Sequence, residues 1–321
     1  MQENTKGTLY LFKPAQPLGP PTLFPPQVKG KLPISVKFII RGFTLAKKDK
    51  ESIDLIARKC VTDFWAIDSS QVENSDTKEK ATLFTIAFYG NPLPNRGEHT
   101  DEDQAFFQSL FLVERFLSLL SFFAGLKLSA IHIQPTIMHD GHYTLILHPT
   151  QRTSVPKSIM KFPNNLKEIT PNDETFSAMS WLRRGLAERD SVDTFSAFMV
   201  CIQIIARRMV NKESSEITCP ACGAKLGNTQ QSITSQVREL VVSKLGASNE
   251  LFERIWRARN AVIAHGNLPV TPNVILELTE LKFDAANLAY GAIKFSLGMS
   301  LDSPPSPDQS FFATDAFMYI D

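Results

Sequence analysis

The chain of 321 residues has few of the cysteines that stabilise small secreted proteins. Its four cysteines form one close pair and two isolated residues, which does not make a secreted disulfide framework. The first residues also lack the basic segment followed by an apolar run that marks a signal peptide. These two absences predict a cytoplasmic protein.

An excess of charge of one sign is also absent. Lysine and arginine number 34 against 33 aspartate and glutamate residues, so the formal net charge is +1. A strongly basic chain would be attracted to nucleic acid as a whole, and this chain is not. Any RNA binding must therefore depend on local clusters of basic residues.

Long uninterrupted apolar runs are scarce, and residues 105–126 come nearest to one. Gln108, Glu114 and Arg115 interrupt this stretch. Each charge near the centre of a membrane span costs about 2.5 to 3.5 kcal/mol on insertion scales. We therefore expect a core helix that is buried on most sides, and no membrane association.

The length is sufficient for two domains, each with its own core. Residues 1–33 are rich in proline, which favours an extended arm that lies on the domain surface or binds a proline-reading partner. Residues 34–150 contain alternating apolar strands with intervening helices, which predicts an α/β domain. The proline-containing segment 151–172 is predicted to be a linker.

Four of the six histidines lie between residues 130 and 149, in a predicted hairpin that turns at Asp140-Gly141. His139 and His142 flank the turn, but His148 lies about 20 Å further along its strand. His132 is expected on the opposite face of the sheet. This spacing argues against a metal site formed by the four histidines.

Residues 173–298 show five amphipathic helices, and they predict an all-α bundle. Asp173 begins the first helix, and Ser191 is a candidate N-cap for the second. The expected fold class is therefore α+β with two domains, an α/β domain followed by a helical bundle. Residues 299–321 form an acidic and aromatic tail, which is expected to bind the chain's own surface or a protein partner.

A short cysteine motif, Cys219-Pro220-Ala221-Cys222-Gly223, lies between the second and third helices. Two thiolates at this spacing supply half of a tetrahedral zinc site. Three interpretations remain open. Cys219 and Cys222 hold a zinc shared between subunits or completed by other ligands, form a reduced loop without metal, or act as a redox pair.

The helix that starts at Asn249 places an arginine within its apolar stripe. Arg259 lies among apolar residues at helical spacing, namely Phe252, Ile255, Trp256 and Ile263. An unpaired buried charge costs several kcal/mol, so this guanidinium must have a partner or face a polar seam. Glu250 and Glu253 precede Arg254 and Arg257 by four residues, whereas Ile255 precedes Arg259.

His265 follows Arg259 by six residues and lies in the last turn, before Gly266-Asn267 and Pro269. An arginine followed at once by a polar residue, and then by a histidine in a helical bundle, resembles the HEPN superfamily. The residues that carry this resemblance are Arg259, Asn260 and His265. It extends over about residues 172–298, where residues 180–186 and 195–209 are similar to the ApeA-like or MauJ-like subset.

The resemblance implies a metal-independent endoribonuclease, in a toxin or phage-defence role, that acts on RNA as a homodimer through the helical domain. Attack of the ribose 2′-hydroxyl would leave a cyclic phosphate, with His265 moving protons, Arg259 stabilising charge and Asn260 orienting an oxygen. Six helical residues separate Arg259 and His265 by about 9 Å and place them on different faces. This favours a site built by both subunits.

Other members of the superfamily are binding modules without catalytic activity. The alternative function is therefore a regulatory module that recognises a nucleotide, an RNA or a protein partner. In that case Arg259 would bind a carboxylate or a phosphate, and His265 would only satisfy the end of its helix.

Overall fold

The structure is a computed structural model. It describes residues 12–14, 28, 31–41, 49–61, 63–74, 80–90, 101–125, 128, 132–138, 142–147, 162–188, 190–209, 215–218, 220–229, 231–264, 272–302 and 305–307. Within these residues the fold is mixed α+β and contains more helix than strand. The chain divides into two compact units, one of residues 1–117 with 128–159 and one of residues 118–127 with 160–321.

The first unit is built around a six-stranded sheet with the strand order β1-β3-β4-β2-β6-β5. Its strands are β1 (Phe12–Pro14), β2 (Leu32–Arg41), β3 (Phe64–Asn74), β4 (Lys80–Gly90), β5 (His132–Met138) and β6 (His142–Leu147). Its helices are α1 (Lys50–Cys60) and the first part of α2 (Asp101–Ala124). Pro14 and Pro135 lie on the two edge strands, where a missing backbone donor is tolerated.

The sheet is mixed, because β2 and β6 pair in parallel while all the other described pairs are antiparallel. The α/β description therefore fits only the β2–β6 pair. The predicted hairpin is confirmed by the antiparallel pairing of β5 with β6. The helical spacing of Ile53, Ile56, Cys60 and Phe64 predicts a helix that includes Phe64, but the helix ends at Cys60 and Phe64 begins β3.

The core of the first unit follows the alternation in β2. Ile34, Val36, Phe38 and Ile40 are all buried, as their spacing predicts. Phe38 stacks on Phe84 with ring centroids 5.3 Å apart, and Phe116 of α2 lies 5.4 Å from the Phe38 ring. The sheet and the helix α2 therefore share one aromatic cluster.

Helix α2 has the length and composition of a membrane span over residues Asp103–Ala124, and most of that stretch is buried in the protein. Phe116, Leu119 and Leu120 have no exposed surface, whereas Phe107 and Phe111 are exposed. The burial agrees with a core helix. The absence of membrane association stays a prediction.

The second unit is mainly helical and contains the last turns of α2 together with five further helices. These are α3 (Asp173–Gly185), α4 (Ser191–Met209), α5 (Ile233–Arg238), α6 (Asn249–Arg259) and α7 (Pro272–Ser296). The short strands β7 (Ser215–Thr218) and β8 (Lys225–Thr229) form an antiparallel pair between α4 and α5. Helix α4 packs against α3, α5 and α7 and forms the centre of the unit.

Local capping signals set two of these helix starts. Asn172 caps α3, because its side chain accepts a hydrogen bond of 3.0 Å from the Thr175 amide. The prediction that Ser191 caps α4 was wrong, since Asp190 accepts from the Val192 amide at 2.8 Å. Two suitable residues stand side by side there, and the sequence does not tell which one is the cap.

Parts of the predicted linker and tail belong to the core of the second unit. Leu166 and Ile169 are buried, and Phe162 lies 5.6 Å from Phe123. Beyond α7, Met299 is buried, and the Lys294 ammonium donates to the Leu301 carbonyl at 3.0 Å. The domain boundaries at residues 33, 150, 172 and 298 stay predictions.

Two helical glycines provide a test of the packing in the second unit. A Cβ atom on Gly185 would lie 2.4 Å from the buried Phe198 ring, whereas one on Gly291 would lie 3.4 Å from Leu245. We expect Gly185→Ala to destabilise the protein by about 1 to 3 kcal/mol through overpacking. Gly291→Ala should be neutral or stabilise it by up to about 1 kcal/mol. Chemical denaturation of both variants checks this, and equal stabilities would contradict the packing of α3 on α4.

Candidate functional site

The predicted motif lies at the end of helix α6, whose start and buried face are fixed by local contacts. Its N-cap is Ser248, whose side chain accepts a hydrogen bond of 3.1 Å from the Leu251 amide. Phe252, Ile255 and Trp256 are buried, as the apolar stripe predicts. The helix therefore reaches Arg259 with one face fixed in the core.

Arg259 is half-buried at the C-terminal end of α6. Its Cζ atom lies 5.0 Å from the centroid of the Trp256 ring, and its Nη1 donates to the Asn260 Oδ1 at 2.9 Å. Its Nε is buried and has no hydrogen-bond acceptor among the residues that the structure describes. Over those residues it also forms no ion pair.

Arg259 thus contacts an indole ring and a neutral amide. No carboxylate of the described residues forms an ion pair with it. The sequence predicts either a paired guanidinium or one that faces a polar seam; the described residues supply no pairing carboxylate, and the polar seam stays a prediction. A cation over the face of a tryptophan is stabilised by the ring quadrupole without losing its charge. Within the described residues, no carboxylate compensates the charge of Arg259.

Two of the neighbouring charges of α6 are paired with other helices. Glu253 forms its ion pair with Arg238 of α5. Arg254 has its carboxylate neighbour in Glu280 of α7, at 3.9 Å. These charges are partly exposed, so pairs between helices and pairs within a helix differ little in energy.

The aromatic stack under Arg259 continues along α6. The Phe252 and Trp256 rings lie 5.9 Å apart and 14° from parallel. The guanidinium of Arg238 covers Phe252 with its Cζ 4.7 Å from the ring centroid. Arg238, Phe252, Trp256 and Arg259 therefore form one stack, which we call the aromatic ladder. Sequence reasoning missed it because Arg238 lies on another helix.

Two π-helical segments lie next to this ladder. One runs over Glu239–Lys244 after α5, and the other over Asn260–Ala264 directly after Arg259. The second segment packs against the central helix α4. Such segments are rare and occur frequently at functional sites. The sequence predicts ordinary α-helix at both places, because no residue type marks the change in hydrogen bonding.

Two of the three predicted site residues are thus neighbours with a direct hydrogen bond between their side chains. The third, His265, lies outside the described residues. The roles of Arg259, Asn260 and His265 stay predictions of the motif.

The cysteine motif lies in the turn between β7 and β8. Cys222 is exposed, and Gly223 has a φ of 70°, a conformation that glycine adopts at little cost. Cys219 lies outside the described residues. The described residues hold no group of three or more potential metal ligands. A zinc site at Cys219 and Cys222 stays a prediction.

The other two cysteines are unsuited to binding metal or to redox chemistry. Cys60 in the first unit and Cys201 in the second are both buried. Burial raises the pKa of each thiol, so the reactive thiolate is disfavoured. Cys201 is fully buried within α4, as expected from the sequence.

Of the histidines in the predicted hairpin, His132 begins β5 and His142 begins β6. His139 and His148 lie outside the described residues.

No match to this chain was found among protein-family models, curated proteins or solved structures. The assignment of a function therefore depends on the site itself.

Removing Arg259 tests whether it has a buried charged partner. Arg259→Ala loses one ring contact and one hydrogen bond to an amide, and it removes an unsatisfied donor. We expect the free energy of unfolding to change by less than about 1 kcal/mol. Phe252→Ala on the same helix should cost about 3 to 5 kcal/mol and is the positive control. A loss of about 3 to 5 kcal/mol for Arg259→Ala would show that a buried charge had lost its partner.

Metal analysis tests the cysteine motif. If Cys219 and Cys222 bind zinc, the purified protein should contain about one half to one zinc per chain, depending on whether the site is shared. Cys222→Ser should lose the metal and lower the melting temperature, since metal binding contributes to folding. Ala221→Ser in the same exposed turn should change neither quantity. Wild-type protein without metal would contradict the zinc site.

Proposed function

We propose that the helical unit is an endoribonuclease of the metal-independent HEPN type and cleaves RNA by attack of the 2′-hydroxyl. The observation that carries this proposal is the state of Arg259. Its guanidinium is held by Trp256 and Asn260, with a buried Nε that lacks an acceptor among the described residues. This is the arrangement expected of an arginine that binds an anion, since a structural arginine would have its charge compensated.

In the proposed reaction, the ribose 2′-oxygen forms a bond to the adjacent phosphorus and the bond to the 5′-oxygen breaks. The products are a 2′,3′-cyclic phosphate and a 5′-hydroxyl. Arg259 stabilises the negative charge that grows on the phosphoryl oxygens. Asn260 orients one of these oxygens through its amide. His265 transfers the protons. The sequence predicts it in the last turn of its helix, where the helix dipole favours an imidazolium and the role of general acid.

Cleavage of mixed RNA in the presence of a chelator tests the proposal. The wild-type protein should cut, and Arg259→Ala should lower the rate by about 10²- to 10³-fold, as loss of one charge-stabilising donor does. His265→Ala should lower it by about 10²- to 10⁴-fold. Arg184→Ala is the matched control, because Arg184 also lies over a tryptophan three residues earlier, at 4.8 Å, but is exposed on α3.

Folded Arg259 and His265 variants that cut at the wild-type rate would refute the assignment of catalysis to this motif. A wild-type protein that binds RNA without cutting it would support the regulatory module instead. Melting curves on the same preparations show whether each variant is folded. They distinguish a variant that has lost only its activity from one that has lost its fold.

The second part of the proposal is a homodimer through the helical unit, with a site composed of Arg259 from one subunit and His265 from the other. Mixing the Arg259→Ala and His265→Ala chains tests it. In a symmetric dimer the mixed pair keeps one intact combination of both residues, so activity should reappear on mixing. Mixtures that stay inactive although the subunits exchange, or a monomer in light scattering, would exclude a composite site.

A further inference from the structure

Helix α2 carries two exposed phenylalanines in the part that belongs to the first unit. Phe107 is 49% exposed and Phe111 is 59% exposed, although most of the helix is buried. The two residues lie about one helical turn apart, on the side opposite to the buried Ser109 and Phe116. Adjacent exposed aromatic rings form an apolar patch that a partner can cover.

Polar side chains flank the two rings on the same side of α2. With about 100° of rotation per residue, Asp103, Gln104, Glu114 and Arg115 all lie within about 60° of the centre of that side. All four are half-buried. The Arg115 Cζ atom lies 4.2 Å from the centroid of the Phe111 ring, which places the positive charge beside this ring. We call the surface formed by these four residues and the two phenylalanines the outer face of α2.

The order of residues along the outer face makes it complementary to a second copy of itself. Three pairs of its positions lie at equal distances on either side of Ser109, namely 103 and 115, 104 and 114, and 107 and 111. A twofold axis at the level of Ser109 brings the members of each pair opposite one another on two antiparallel helices. Phe107 then packs on the partner's Phe111, and Asp103 lies beside the partner's Arg115.

The charges select the antiparallel orientation. In a parallel twofold pair each residue would meet its own copy, so two Asp103 carboxylates and two Arg115 guanidiniums would repel each other. In the antiparallel pair these opposite charges attract, and the Gln104 amide donates to the carboxylate of the partner's Glu114. A lipid surface fits this face less well. Anionic headgroups attract basic helix faces, whereas this face carries two carboxylates and one guanidinium.

We propose that the outer face of α2 is covered by a second copy of this chain, in an antiparallel pair of α2 helices related by a twofold axis. The interface uses one helix face from each subunit. An interface of this size is small, so the association is weak and depends on protein concentration. The proposal is independent of the proposed ribonuclease, because it uses residues of the first unit and none of the residues of α6.

Photochemical crosslinking of the full chain tests the pairing. The photoreactive residue p-benzoylphenylalanine takes the place of Phe107, and this chain is mixed with an isotopically labelled wild-type chain. Irradiation should join light and heavy chains, with a yield that rises with protein concentration. Mass spectrometry should find the new bond at or next to the partner's Phe111. The same residue in place of Leu276 on α7, which is 61% exposed, should form no bond to α2.

Two substitutions of Gln104 should act in opposite directions. Gln104→Lys places an ammonium opposite the partner's Glu114, and it should raise the association constant about three- to fivefold over the two equivalent pairs. Gln104→Glu places two carboxylates together and should lower the constant by a similar factor. Asp101→Asn is the matched control, because it changes the net charge as Gln104→Lys does but lies about 100° from the centre of the outer face. It should leave the constant unchanged.

The association constants come from the crosslinking yield over a dilution series, and melting curves show that each variant is folded. Bonds that form only within one chain, or to another part of the partner, would overturn the pairing. Changes in the same direction for both Gln104 variants would overturn the antiparallel register. Flotation of the chain with vesicles of phosphatidylcholine and phosphatidylserine, lost in Phe111→Ser, would assign the face to a membrane instead. No RNA is present in these measurements, so their outcome does not depend on whether the protein cuts RNA.

Discussion

The contact between the Arg259 guanidinium and the Trp256 indole is the interaction on which the candidate site depends. It lets a cation lie at the end of a buried helix face without a carboxylate beside it among the described residues. A carboxylate in that place would stabilise the charge and compete with any incoming anion. An aromatic face stabilises the cation without placing a negative charge beside it. The same contact therefore holds Arg259 in the fold and keeps it suited to its proposed role.

The rest of the helical unit holds this contact in place. Ser248 sets where α6 begins, and Phe252 and Ile255 fix its buried face. Arg238 closes the far end of the ladder and is itself held by Glu253. The π-helical segment Asn260–Ala264 then packs on α4, the central helix of the unit. The site is therefore supported from three helices, although its predicted residues come from one stretch of chain.

Features with a local cause were predictable from the sequence. The starts of α3 at Asp173, α6 at Asn249 and α7 at Pro272 agree with the capping residues and prolines there. The buried alternation of β2 follows from its period of two. The cap at Asp190 was missed because two adjacent residues are equally suitable. Strand β3 was missed because its sequence does not alternate clearly.

Some features of the candidate site were likewise predictable from the sequence, and others were not. The apolar stripe of α6 predicts that Arg259 is special, and the side-chain hydrogen bond to Asn260 joins two residues of the motif. The ladder was not predictable, since it depends on Arg238 reaching Phe252 from another helix. Trp256 and Asn260 are local neighbours of Arg259, whereas a carboxylate from another helix would have depended on tertiary contacts. The sequence also contains no signal for the two π-helical segments.

The most direct measurement of the central claim is the side-chain Nε–Hε resonance of Arg259 in a nuclear magnetic resonance spectrum, assigned by its loss in Arg259→Lys. Titration with a short single-stranded RNA of 2′-O-methyl riboses, which lack the attacking hydroxyl, should shift this resonance saturably as the Arg259 guanidinium binds a phosphate, while the resonance of Arg184 stays in place. An Arg259 resonance that does not move at saturating RNA, or one that moves no more than that of Arg184, would contradict the account.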